Sequence, residues 1–486
     1  MRASSSRSMV SMTCFSYARK RSVEKDCSRS RLGMSCSLRT KECSAARPGC
    51  QLPGLRPLTC PQGRGYNLRD ESRAPTGPDH HPDSKASEYM PRRAVCREPG
   101  DSMDTYGVGI FGYGFIGKVH AYAHDVMKYY YQPLPLPTRL VGVCTSSPET
   151  AQAARSHGGF EMGTSDPDEL LARDDIHIVH ICTPNDSHAP LVLDSLRAGK
   201  AVYCDKPLCL SGGEALDILQ GLRENPAPNQ MTFHNRFVPA TMRAKRIMDS
   251  GALGRVFHYR AQYLHAGYID ADRPMSWRLD ADRSGGGALY DLGAHVIDLM
   301  RWLAGEIRLV RADLPTMIPD RPRSKGSGER VPVEVDDLAL LSVRTDDAYG
   351  LIEASRLATG SNDALRFEIH GEKGALRFDS EEPSWLHYYD VDRAGGELGG
   401  EGGYTKIECV QRYPSPAGWP GPKFAPGWLR FHVACLHEFL SAMAEGRPAE
   451  PGIIDGARTQ MVLEAARQSA LTGVETEVAE VEAAAP

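Results

Sequence analysis

The string Gly112-Tyr113-Gly114-Phe115-Ile116-Gly117 constrains this chain more than any other, because of what flanks it. A short β-prone run, residues 106–111, precedes it. A helix-like stretch from Lys118 to about Tyr130 follows. GxGxxG alone is a weak sign, but between a strand and a helix at the head of a βαβ run it is specific. Gly112 permits the tight turn, Gly114 lets a pyrophosphate approach the backbone, and Gly117 lets the helix pack close to the strand. Phe115 and Ile116 complete the turn. The free N–H groups and positive potential of the helix start would hold the phosphates.

The alternation continues. Strands are expected at 139–144, 176–182 and 201–204, and helices at 148–156, 168–172, 188–198 and 211–223. Strands alternating with helices imply a parallel sheet covered on both faces. The second strand ends in Cys144-Thr145-Ser146-Ser147, with no acid before Glu149 and no arginine. An acid there would bind the ribose 2′-hydroxyl of NAD, and an arginine would favour the 2′-phosphate of NADP. Neither is present, so the cofactor is left as NAD(P), with Thr145 and Ser146 among the expected cofactor-binding residues.

Near residue 235 the texture changes. Residues 239–249 still look helical, but 256–264 alternate like one strand of an antiparallel sheet. A helix with a Gly-rich entry is expected at 285–303. Strands are expected at 338–345, 351–357, 366–370 and 375–379, with a hairpin turn at 371–374. Residues 380–428, rich in Gly, Pro and Trp, read as a long irregular segment. Helices at 428–445 and 455–471 close the chain. The fold class is therefore α/β: an N-terminal Rossmann parallel sheet over 103–235, then an α+β domain with a large, mostly antiparallel sheet over 236–478, and a tail at 479–486.

Charge divides the chain. Residues 1–100 hold 19 Lys+Arg against 9 Asp+Glu, and the remainder 38 against 53. Seven of the 13 cysteines also fall in the first 100 residues, without CxxC spacing. That Ser-, Arg- and Pro-rich stretch lacks the apolar surface to offset its ordering entropy. A transit peptide would be poorer in acids than Glu24, Asp26 and Glu42 allow, and a secretory signal would need a longer apolar core. The composition favours a disordered or spurious leader over 1–102, with the functional protein beginning at Met103. The other cysteines read as reduced residues of a cytoplasmic protein. The acidic balance of the remainder argues against nucleic-acid binding. No run approaches the roughly 20 apolar residues of a membrane helix.

Three further strings sharpen the reading: Thr183-Pro184-Asn185-Asp186-Ser187-His188, Cys204-Asp205-Lys206-Pro207, and Gly285 through His295 with Tyr290-Asp291-Leu292-Gly293-Ala294 between. Together with the Gly turn they resemble the glucose–fructose oxidoreductase / inositol dehydrogenase / rhizopine catabolism (Gfo/Idh/MocA) family, from about residue 105 to about 478. The Pro-rich insertion at 132–137 and the loop at 419–428 look similar to the branch with levoglucosan dehydrogenase and glycoside 3-dehydrogenases. The resemblance implies that Lys206 lies at the nicotinamide and the reacting hydroxyl. It implies that Asp291 and His295 belong to the catalytic group, and that Asn185 sits near the nicotinamide ribose. It implies a homodimer or homotetramer through the open sheet face. The family's Glu-Lys-Pro is Asp-Lys-Pro here, so Asp205 keeps the charge on a shorter arm.

The chemistry suits these residues. Hydride leaves an alcohol carbon as its hydroxyl proton is taken, and a histidine base works near neutral pH. Four residues apart on a helix, Asp291 and His295 would share a face, with Asp291 orienting the imidazole. The Lys206 ammonium would stabilise the developing alkoxide. Thr183, Pro184, Asn185, His188 and Asp205 join the cofactor contacts, although His188 reads as a structural residue at a helix start rather than a catalyst. Asp298 reads as a bracing carboxylate. Trp277, Arg278, Tyr263 and His265 are placed to line a substrate pocket; Trp419 and Trp428 have flat faces that suit a sugar ring, but buried aromatics in a loop core are the commoner reading. The expected activity is oxidation of a secondary hydroxyl of a sugar, glycoside or cyclitol, with no metal. Two alternatives stand: an enzyme that retains its NAD for glycoside cleavage or elimination, and a non-catalytic nucleotide-sensing regulator.

Overall fold

The computed structural model describes residues 105–481 apart from 422, 423, 425 and 426. The expected leader, 1–102, and most of the expected tail lie outside the described residues. Six parallel strands form the first sheet: β1 (Tyr106–Phe111), β2 (Thr138–Cys144), β3 (Met162–Thr164), β4 (Ile178–Ile181), β5 (Ala201–Cys204) and β6 (Asn229–Met231). Their spatial order is β3-β2-β1-β4-β5-β6. The order reverses between β1 and β4, and ligands bind beyond the carboxyl ends of strands at such a point. The Gly turn follows β1, and Thr183-Pro184 follows β4.

Helices α1 (Phe115–Tyr130), α2 (Pro148–Gly158), α3 (Pro167–Leu171), α4 (His188–Arg197) and α5 (Gly212–Glu224) alternate with these strands. They are followed by α6 (Pro239–Asp249), α7 (Ala281–Ser284), α8 (Ala294–Ala304), α9 (Trp428–Glu445) and α10 (Ile453–Thr472). The last two return to the first sheet. Val433, Leu436, Phe439 and Leu440 of α9 pack with Ile110, Val143 and Tyr203 on one face. Ile453, Ala457 and Met461 of α10 join Val179, Val192 and Ile218 on the other. Strands β1 and β4 are therefore buried on both sides, as their near-continuous apolar runs require.

The second sheet has nine strands among the described residues: β7 (Val256–Leu264), β8 (Leu309–Asp313), β11 (Leu338–Arg344), β12 (Tyr349–Ser355), β13 (Ala364–Gly371), β14 (Gly374–Asp379), β15 (Trp385–Asp390), β16 (Tyr404–Glu408) and β17 (Thr476–Glu477). A separate hairpin pairs β9 (Asp320–Pro322) with β10 (Arg330–Pro332). The order of the large sheet is β16-β15-β14-β13-β7-β12-β11-β8-β17. Strand β7 was expected to alternate like one strand of a mostly antiparallel sheet. It is antiparallel to β13 but parallel to β12, because it is a central strand joined to both by long connections. Residues 380–428 are not irregular throughout: β15 and β16 extend the sheet from the edge of β14, with Leu386 buried. Pairing to an existing edge supplies an order that local propensity does not encode.

The Gly-rich entry departs from a plain helix over 285–303. Gly285 ends α7 with φ +76°, and a π-helical turn, Leu289–Gly293, precedes α8. The buried Asp336 carboxylate accepts from Gly287 N (2.7 Å) and Leu289 N (2.8 Å), capping this start. A Cβ on Gly287 would stand 1.6 Å from Asp336 O, so only glycine permits the approach. Turns of π type recur at functional sites, and this one carries Asp291.

Candidate active site

A cleft of about 790 Å³ opens where the parallel sheet meets the start of α8. It is lined by Gly112, Gly114, Phe115 and Ile116 from the first turn, and by Thr183, Pro184 and Asn185 after β4. Asp205 and Lys206 after β5, and Asp291 and His295 from the π turn and α8, complete that wall. A second cleft, about 1120 Å³, shares Gly112, Gly114, Thr183 and Pro184 and continues past Thr145 and Ser146. Apart from Gly117 and His188, the sequence-predicted cofactor residues follow one continuous path across the carboxyl ends of the strands.

The turn fits a dinucleotide. Gly112 has φ +82°, with Cys182 O at 2.7 Å from any Cβ placed there. On Gly117 a Cβ would meet Gly112 O at 2.1 Å, so Gly117 lies behind the cleft and lets the helix seat. On Gly114 a Cβ meets no protein atom within 4 Å and would project into the cleft. Helix α1 has no side-chain cap and no acid in its first turn, which leaves its N–H groups free for phosphate oxygens. Asn185 is held by donating to Ser284 O (2.9 Å). His188 lines neither cleft. Its ring nitrogens lie 2.8 Å from Pro207 O and 3.0 Å from Thr183 O, and its one N–H donates to one of these carbonyls, between the two loops that carry the cofactor-side residues. The expectation of a direct cofactor contact at His188 gives way to bracing, because the ring lies between two backbone carbonyls and lines neither cleft.

Lys206 Nζ donates to Asp291 O (2.7 Å) and to Asp291 Oδ1 (3.2 Å). An ammonium has three donors, so one remains for a ligand oxygen. The other Asp291 oxygen accepts from Arg356 Nη2 (3.2 Å), whose Nη1 donates to Arg278 O (3.1 Å). Burial alone would raise the Asp291 pKa, but Lys206, Arg356 and Arg278 overcome it and hold the carboxylate well below its usual range. Asp291 was expected to orient His295; its oxygens pair with Lys206 and Arg356, and no hydrogen bond joins it to His295. It acts on the imidazole through its charge. Burial pushes His295 well below the usual histidine value; Lys206 adds to this and Asp291 opposes it. His295 is thus a neutral imidazole able to accept a proton. Burial also raises Asp205, to about 6, against the pull of Lys206.

The opposite wall is aromatic and cationic. Trp277, Arg278, Tyr263 and His265 all line the cleft, with Tyr268 and Arg273. Tyr263 donates to Asp363 Oδ1 (2.7 Å). Trp428 lines the cleft and stacks on Phe115 (5.5 Å between centroids), whereas Trp419 packs on Tyr130 outside it. Sequence reasoning missed Arg356, His234 and His432. An arginine closing the apolar run at 351–357 was the available signal for Arg356. A histidine one turn into α9, on a face otherwise apolar, was the signal for His432. Among the described residues no group of His, Cys, Asp or Glu is arranged to hold a metal ion.

Comparison with known proteins agrees with this geometry. The model for an "Oxidoreductase family, NAD-binding Rossmann fold" matches residues 106–233, and that for the "GFO/IDH/MocA C-terminal domain" matches residues 241–377. Levoglucosan dehydrogenase of Pseudarthrobacter phenanthrenivorans is 34% identical over 383 residues, covering 76% of this chain and 97% of the relative. Inositol 2-dehydrogenase of Rhizobium meliloti is 27% identical over 365 residues, covering 75% and 97%. The solved structure of levoglucosan dehydrogenase in complex with NADH and L-sorbose superposes with a TM-score of 0.74 at 33% identity, covering 78% of this chain and all of that one.

Proposed function

The chain belongs to the GFO/IDH/MocA family of NAD-binding oxidoreductases, and from that premise we propose that it oxidises a secondary ring hydroxyl of a pyranose or anhydrosugar. One observation carries the reading. Lys206 and His295 line one cleft with the glycine turn, and Lys206 is fixed by Asp291 with a donor to spare. Nicotinamide, when bound, takes the hydride. The Lys206 ammonium donates to the substrate oxygen and stabilises negative charge as it develops there. Neutral His295 accepts the hydroxyl proton. Arg356 holds Asp291, and Asp291 holds Lys206 and favours the imidazolium that forms.

The substrate side supports a sugar. Trp277, Tyr268 and Trp428 offer flat apolar faces, while Arg273, Arg278 and Asp363 offer hydrogen bonds around the ring. The likeness to levoglucosan dehydrogenase favours an anhydrosugar or pyranose over an open-chain alcohol. Leu340 and Leu351 are exposed on the open face of the large sheet, and that face is where a second copy of the chain would associate. The test is a panel of levoglucosan, glucose, methyl glucosides and myo-inositol with NAD+ and with NADP+, read by nicotinamide absorbance. Levoglucosan or a pyranose is expected to lead with NAD+. Turnover confined to cyclitols would remove the sugar assignment while leaving the chemistry.

A further inference from the structure

Six imidazoles lie in file from the cleft to the outer side of α1. His295 meets His234 edge-on (centroids 4.9 Å), His234 stacks on His432 (4.1 Å), and His432 lies 6.3 Å from His120. His120 Nδ1 is 3.0 Å from His180 Nδ1, and His180 Nε2 is 3.0 Å from His124 Nε2. His124 Nδ1 is 2.8 Å from Thr138 Oγ1. The file begins on the cleft wall at His295 and ends at the half-buried His124 and Thr138, next to exposed Asp125. His120 Nδ1 also lies 3.1 Å from Cys182 Sγ, a second group on the cleft wall.

The two halves of the file differ. From His120 outward the rings are joined nitrogen to nitrogen, and His180 uses both of its nitrogens. A proton reaching one nitrogen of such a ring frees the proton on the other. In the inner half, His295 Nδ1, both nitrogens of His234 and of His432, and His120 Nε2 are buried without a protein partner. Buried polar atoms without partners are costly, and clusters of them are satisfied by bridging water. Leucine or phenylalanine at these positions would carry no such cost, so packing alone does not explain six imidazoles. The dehydrogenase reaction does supply a reason. Each turnover of the proposed reaction leaves one proton on His295, which must reach solvent before the next.

We infer that the file His295–His234–His432–His120–His180–His124 conducts the reaction proton from the active site to solvent at Thr138. The inference rests on His295 being the proton acceptor proposed above. The alcohol loses a hydride to the nicotinamide and a proton to His295. His295 returns to neutral as each ring takes a proton on one nitrogen and releases one from the other. The last proton leaves His124 for bulk water, so alcohol and oxidised cofactor give ketone, reduced cofactor and one free proton. Tautomer exchange of the rings resets the file between turnovers.

Two measurements on the full chain test this. In weakly buffered stopped-flow with levoglucosan, NAD+ and phenol red, the wild type is expected to release its proton together with NADH formation. In His180→Phe and His124→Phe the ratio of proton-release rate to NADH-formation rate is expected to fall about tenfold, a barrier change of about 1.4 kcal/mol. Coincident traces in both variants would overturn the relay. The second measurement needs no substrate: hydrogen exchange of the histidine ring N–H groups followed by ¹⁵N NMR. The His180 ring is expected to exchange faster than the amides of its neighbours Val179 and Ile181, and more slowly in His124→Phe. A ring that exchanges no faster than those amides, or is indifferent to His124→Phe, would also overturn the relay. A wild type inactive on every sugar would count against the proposed function instead, and ring exchange would then decide the relay.

Discussion

In the proposed reaction Lys206 and His295 act on one substrate oxygen, and their loss should show in the rate rather than in cofactor affinity. Lys206→Ala and His295→Ala are each expected to lower kcat by about 10²–10⁴-fold, while NADH affinity measured by fluorescence stays within about twofold. Near-wild-type turnover in both would remove these roles. Gly114→Ala places a methyl group in the cleft without touching protein. It is expected to weaken NAD+ binding about tenfold, or ~1.4 kcal/mol, with the melting temperature unchanged. These residues were legible in the sequence because their chemistry sits in short contiguous strings. Arg356 was not, since its partner Asp291 lies 65 positions away and the two meet where the π turn packs against the end of β12. The cations that hold Asp291 were hidden for a related reason. Helical spacing says which residues share a face, but not which cation will take the carboxylate.

Elements far apart in the chain are joined by a buried charge cluster. Arg236, just before α6, donates to both oxygens of Asp298 on α8 (2.6 and 2.9 Å) and to Asp455 of α10 (3.0 Å). Arg301 adds bonds to Asp455 O and Thr459 Oγ1. Asp298 is 1% exposed, so its removal strands a buried arginine. Asp298→Ala is expected to cost about 3–5 kcal/mol in urea unfolding, whereas an effect under ~1 kcal/mol would show the cluster to be incidental. The strand–helix alternation of the first sheet was readable because apolar runs and glycine punctuation are local. The short strands β3, β6, β8 and β17 were not, being ordered by neighbours rather than by their own pattern. Likewise, nothing local to α9 announces that Phe439 and Leu440 fill a face of a sheet begun some three hundred residues earlier.

The molecule as a whole carries an unusual load of buried neutral imidazole. His120, His180, His234, His295 and His432 are all buried, and burial lowers the pKa of each below the ordinary value of 6.5. Unfolded, each takes a proton as pH falls through 6.5; folded, each stays neutral to a lower pH. Stability is therefore full above about pH 6.5 and is lost below it, by roughly 1.4 kcal/mol per pH unit for each histidine. Melting temperature is expected to fall steeply between pH 6.5 and 5, and a flat profile there would mean that the rings are charged or exposed. Leu340 and Leu351 on the open face of the large sheet add a surface suited to a second copy. The most direct test of the chemistry is NADH formed per sugar consumed when purified protein is given levoglucosan and free NAD+. One NADH per ketone formed is expected. Tightly held nicotinamide that is recovered only on denaturation, with free NAD+ left unconsumed, would contradict a dehydrogenase that releases its reduced cofactor.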